Sequence, residues 1–170
     1  DAMGGLIQIT SDGRFGYDGY RLFIQLVGKI ALSVDEREFD EILNKTKEKV
    51  GVVDDTDLDA DRLKDLCKQY LALIKKKTGK SFPEDPMVQL ELAIEAVFRS
   101  WMGKRAVDYR KEFKITPEMA NGTAVNICTM VFGNMGFDSA TGVAFTRDPG
   151  TGENVLYGEY LVNAQGEDVV

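Results

Sequence analysis

The 170-residue chain contains no histidine. The commonest general base, the commonest metal ligand and any phosphohistidine are therefore missing from it. Chemistry here falls to carboxylates, lysines, arginines and backbone donors. Gly4-Gly5 lets backbone amides approach a phosphate, but without GxGxxG or a following Lys-Ser/Thr the signal is weak and plain loop is the better reading. Lys75, Lys76 and Lys77 form either an anion site or a solvated helix end matched to the helix dipole. Arg99, Arg105 and Arg110 surround Trp101 and Tyr109, where guanidiniums pair with carboxylates, stack on the rings or hold a ligand phosphate. Glu159 and Asn163 lie four apart in an extended stretch and so share a face. Their oxygens suit a hard cation, but a hydrogen-bonded surface pair has the same spacing, and no metal ligand is assigned. Cys67 and Cys128 are in no CxxC pattern and read as two buried thiols in a reducing compartment.

The elements that would position these residues follow from periodicity. Residues 1–16 are irregular, rich in Gly and closed by Ser11-Asp12-Gly13. From Tyr17 the apolar residues Tyr20, Phe23, Ile24, Val27, Ile30 and Ala31 recur at helical spacing. A second helix spans 33–50, with Asp35 and Glu38 at capping-box spacing, Phe39, Ile42 and Leu43 as its stripe and Gly51 at its end. A third starts near Asp59, carries Leu63, Leu66, Cys67, Tyr70 and Ile74 on one face, and stops at Gly79. Asp85 and Pro86 open a fourth, with Leu90, Ile94, Val97 and Trp101 as a buried stripe. Residues 104–113 form a further short helix.

From Gly122 the character changes to β-branched, aromatic and Gly-rich. Strands are predicted at 123–132, 141–147 and 154–163. The first is apolar enough for a central strand, and Arg147 to Gly152 forms a loop between the other two. The expected fold is α+β: an irregular lead-in over 1–16, a helical subdomain of four to five amphipathic helices over 17–113, and an antiparallel β meander over 114–170.

A formal net charge of −7 argues against binding nucleic-acid phosphates, and no apolar run approaches the length of a membrane span. Composition alone would also permit a non-catalytic helical interaction module.

Beyond pattern, the wording of the chain carries a resemblance. RFGYDGYRLFIQ (14–25), FRSW (98–101), GTAVNICTMVFGN (122–134), GVAFTRDPGTGE (142–153) and YGEYLVNAQGEDVV (157–170) closely resemble the pyruvate, phosphate dikinase family. The resemblance implies part of an ATP-grasp-like nucleotide-binding domain in a cytoplasmic, homodimeric parent enzyme. Such a parent would convert ATP, pyruvate and phosphate to AMP, phosphoenolpyruvate and diphosphate, using Mg²⁺ and a phosphohistidine on another domain, with pyruvate held in a separate barrel. A phosphoenolpyruvate synthase-like phosphotransferase is the neighbouring alternative, disfavoured by FTRDPGTGE and NAQGEDVV. Carried over residue by residue, the resemblance implies adenine contacts at Thr129, Met130 and Val131. It places the catalytic and metal-binding groups outside this chain, so that the isolated segment is expected to be inactive.

Overall fold

Four aspartates start helices. In the computed structural model, which describes residues 2–166 and residue 169, Asp12, Asp35, Asp59 and Asp85 each accept a first-turn backbone N–H. They cap α2 (Gly13–Ile30), α3 (Glu36–Val50), α4 (Ala60–Thr78) and α5 (Pro86–Ser100), each cap worth about 1 kcal/mol. Gly51 and Gly79 end α3 and α4 at φ 77° and 72°, the left-handed conformation that glycine adopts without penalty. Glu38 does not complete a capping box. Its carboxylate meets Lys77 Nζ at 2.6 Å and ties α3 to the last turn of α4.

The core of the helical unit lies between α2, α3 and α4. Ile24, Phe39, Leu63, Leu66, Tyr70 and Ile74 are completely buried, and Leu58 and Phe82 close the ends. The rings of Phe39 and Tyr70 meet edge to face at 4.9 Å, and the Tyr70 hydroxyl donates to the Phe39 carbonyl at 3.2 Å. Gly28 makes room for this pair, because a Cβ there would stand 2.6 Å from Phe39 Cζ. Burial pushes both the Cys67 thiol and the Tyr70 phenol up to about 12.

A charged cluster pins the connection between α3 and α4. Arg21, itself buried, donates to Asp18 Oδ1 from Nε at 2.9 Å and from Nη2 at 2.7 Å. Its Nη2 also lies 3.5 Å from Asp55 Oδ2, and Lys47 Nζ reaches Asp55 Oδ1 at 2.9 Å. Arg14 donates to the carbonyls of Leu58 and Asp55 at 3.0 and 3.1 Å. Burial works against the Arg21 charge, but Asp18 and then Asp55 outweigh it and raise its pKa.

The helical expectations need three corrections. The lead-in is not irregular: Ala2–Thr10 forms α1, and α2 begins at Gly13. The Gly4-Gly5 pair has poor helix propensity, but Ile7 packs so closely on Gly16 of α2 that a Cβ there would lie 2.2 Å from Ile7 Cγ1. Tertiary contact overrides local preference here. Ile30 lies on the apolar stripe of α2 yet is exposed. In α5 only Ala96 is fully buried, Val97 is exposed, and Leu90, Ile94 and Trp101 are half-buried. A short α6 follows at Lys104–Glu112.

The chain divides into two compact units, Asp1–Asn126 and Ile127–Val170, so residues 114–126 group with the helices. In the second unit β1 (Ala140–Phe145) pairs antiparallel with β2 (Tyr157–Val162), in register from Ala140 opposite Val162 to Phe145 opposite Tyr157. Helices followed by an antiparallel ribbon make the chain α+β. The three-strand meander becomes a two-strand ribbon, because 123–132 joins no ladder among the described residues. Its apolar run satisfies the pattern of a central strand, but a strand exists only where neighbours accept its hydrogen bonds.

Candidate functional site

The β1–β2 ribbon is closed at one end by a tight loop. Asp148 Oδ1 accepts from Gly150 N at 2.7 Å and from Thr151 N at 3.0 Å, and its carbonyl accepts from Gly152 N at 2.9 Å. Arg147 Nη1 donates to the Gly152 carbonyl at 3.1 Å. Aspartate supplies such side-chain turns readily, and Gly152 takes the positive φ of 79° that the turn demands.

At the open end the ribbon is tied to the segment that precedes it. Ala164 N donates to the Gly133 carbonyl at 3.0 Å, and Asn163 N donates to the Ser139 carbonyl at 2.8 Å. Thr141 Oγ1 donates to the Ala164 carbonyl at 2.7 Å, and Ser139 Oγ accepts from Met135 N at 3.0 Å. Gly133 and Ala164 are the buried residues of this unit among those described.

Immediately before that tie run Thr129, Met130 and Val131. All three are exposed, Met130 at 72% and Val131 at 91%. No backbone hydrogen bond to another described residue holds any of them. Their N–H and C=O groups are thus open to a ligand edge, and Met130 offers a polarizable side chain for a flat apolar ring. Cys128, expected to be buried, is exposed on the same segment because no neighbouring strand covers it.

The other candidate residues are dispersed. Arg110 stacks on Trp101 with its Cζ 3.9 Å from the ring centroid, and Arg99 Nη1 pairs with Glu95 at 3.4 Å. Both partnerships are among those the residue types allow. Arg110 also lines a cavity of about 640 Å³ with Trp101, Lys104, Arg105 and Tyr109. Glu159 is exposed on β2, whereas Asn163 lies past its end at φ 53°, so the two no longer follow one strand. No group of three or more Asp, Glu or Cys among the described residues is placed to hold a metal ion.

Residues 30–170 match the family model described as pyruvate phosphate dikinase, AMP/ATP-binding domain. The chain belongs to this family.

Relatives of this dikinase-domain chain include pyruvate, phosphate dikinase from Entamoeba histolytica, 61% identical over 97% of the chain. The chloroplastic pyruvate, phosphate dikinase 1 of Arabidopsis thaliana is 54% identical over 94% of it, and the Clostridium symbiosum enzyme 50% over 99%. The chain spans only 19%, 16% and 19% of those three proteins respectively. No helix among the described residues is long and apolar enough to cross a membrane.

The dikinase family wording and the open backbone coincide at TMV, residues 129–131. Two residues beyond this segment Gly133 is buried where the start of β1 and the chain just past β2 meet it. In the sequence the only mark of this packing is a glycine directly after the apolar run in VFGN.

Proposed function

We propose that this chain is the adenine-side portion of the nucleotide-binding domain of a pyruvate, phosphate dikinase. The observation that carries the reading is the family match over residues 30–170, which takes in the open segment 129–131. There the Thr129 carbonyl would accept from the adenine N6 amino group and the Val131 N–H would donate to N1. Met130 would lie against the ring face. Such contacts select the base and leave the phosphates to other groups.

The parent enzyme would turn ATP, pyruvate and phosphate into AMP, phosphoenolpyruvate and diphosphate. The phosphoryl group would pass through a histidine on another domain to pyruvate in a separate barrel. The chain itself, lacking histidine, cannot be the carrier. Magnesium does not fit the described residues, which offer no cluster of carboxylates for it, so its ligands would come from elsewhere in the parent. We place the parent in the cytoplasm as a homodimer, a reducing setting compatible with two unpaired cysteines.

The test is Val131→Pro in the full-length parent, which deletes one backbone donor. The KM for ATP is expected to rise about tenfold, the cost of one lost ligand hydrogen bond, with the KM for pyruvate unchanged. An unchanged KM for ATP would remove 129–131 from the site. The isolated chain is expected to show no turnover with ATP, pyruvate and phosphate.

A further inference from the structure

The β unit has almost no interior, but backbone approaches it closely at Gly142 and Gly158 within the ribbon and at Gly133 beside its open end. A Cβ on Gly133 would fall 2.0 Å from Thr141 Oγ1, 2.6 Å from the Ala164 carbonyl oxygen and 2.7 Å from the Ala140 carbonyl oxygen. Two of these neighbours are backbone, one at the start of β1 and one just past the end of β2, so neither can turn aside as a side chain would. The same residue receives the Ala164 N–H on its carbonyl, and Thr141 Oγ1 holds the Ala164 carbonyl from the other side. Gly133 is therefore clamped between the two strand ends, and it lies two residues beyond Val131.

We infer that Gly133 is a positioning residue for nucleotide recognition: by clamping the chain to the open end of the β1–β2 ribbon, it sets where the backbone of 129–131 presents its donors and acceptors. This rests on the reading of 129–131 as the adenine contact. That segment has no ladder of its own among the described residues, so its placement depends on its ends. The Gly133 clamp fixes the chain two residues beyond Val131. Any side chain at 133 must push the chain away from two carbonyl oxygens, and the displacement passes directly to Val131. The residue itself touches no base. Its effect is confined to the part of the ligand that 129–131 would read, and groups that grip only phosphates are insensitive to it.

The experiment compares ATP with inorganic tripolyphosphate, which has no base, as ligands of the full-length parent. Gly133→Ala is expected to raise the Kd for ATP at least about tenfold, with that for tripolyphosphate changing less than about twofold, since small misplacements of a positioning group cost large factors. Thr141→Ala removes the hydroxyl that holds the Ala164 carbonyl without adding a clash. It should shift the ATP affinity in the same direction by a smaller factor, and it carries the test should Gly133→Ala fold poorly. Equal weakening of both ligands would reduce Gly133 to a purely structural residue and overturn the proposal. So would unchanged ATP binding in both variants while Val131→Pro weakens it. A wild-type parent that gains nothing from the adenine over tripolyphosphate would instead sink the reading of 129–131, and the positioning role with it.

Discussion

The two units of this chain solve the problem of order in opposite ways. The helical unit surrounds Phe39, Tyr70 and the α2–α4 contact with buried apolar side chains and seals its edge with the Arg21 cluster. The β unit leaves Val143, Phe145, Leu156, Tyr160 and Leu161 exposed and is held by hydrogen bonds around Gly133 and Asp148. A two-stranded ribbon is marginal by itself in water. The contrast teaches that the first unit carries its own stability, whereas the second carries a local shape. The segment 129–131, proposed to read adenine, would thus be placed by backbone clamps and not by a core.

The largest expected break in this comparison comes from Phe39→Ala. It should destabilise the helical unit by about 3–5 kcal/mol, since a fully buried ring is lost and Tyr70 loses its edge contact. Denaturant unfolding followed by far-UV circular dichroism measures it. Tyr160→Ala, on the exposed ribbon, should stay within about 0.5 kcal/mol. Similar losses for both would mean that the β unit has an interior after all.

A smaller effect comes from alkali. The Cys67 thiol is raised from 9.0 to about 12, and the Tyr70 phenol from 10.0 to about 12, burial being the first cause of each. The folded state therefore holds these protons more tightly than the unfolded chain. Their contribution is fully present below pH 9 and is lost as pH rises from there through about 12. The melting temperature of the helical unit should fall over that window, and Cys67→Ala should flatten the part of the slope due to the thiol. A flat profile in the unsubstituted chain would contradict the burial of both groups.

The mildest probe leaves stability untouched. An alkylating reagent near neutral pH should modify exposed Cys128 well before buried Cys67, as peptide mapping over time would reveal. Equal rates would mean either that the helical core opens readily or that segment 123–132 is covered.

Much of the helical unit was legible because its signals are local. Asp35, Asp59 and Asp85 before apolar stripes, with Gly51 and Gly79 after them, fix helix ends through groups only a few residues apart. The buried stripe of α4 follows directly from its spacing. Helix α1 was not legible, since Gly4-Gly5 argues against a helix and only the distant contact of Ile7 with Gly16 argues for one. Segment 123–132 misled in the other direction: its composition is that of a strand, but pairing is a property of neighbours. At the candidate site, TMV drew attention through family wording. Gly133 did not, because a clamp made of three carbonyl and hydroxyl groups leaves no periodic trace.

The grip of Arg14, Arg21 and Lys47 on residues 55–58 has a consequence for how this chain can vary. A surface connection between two helices is ordinarily where insertions and deletions are tolerated. Between α3 and α4, one added residue would have to pull Asp55 away from two cations or Leu58 away from Arg14. That connection behaves as a spacer of measured length, and changes in chain length are better accommodated outside it.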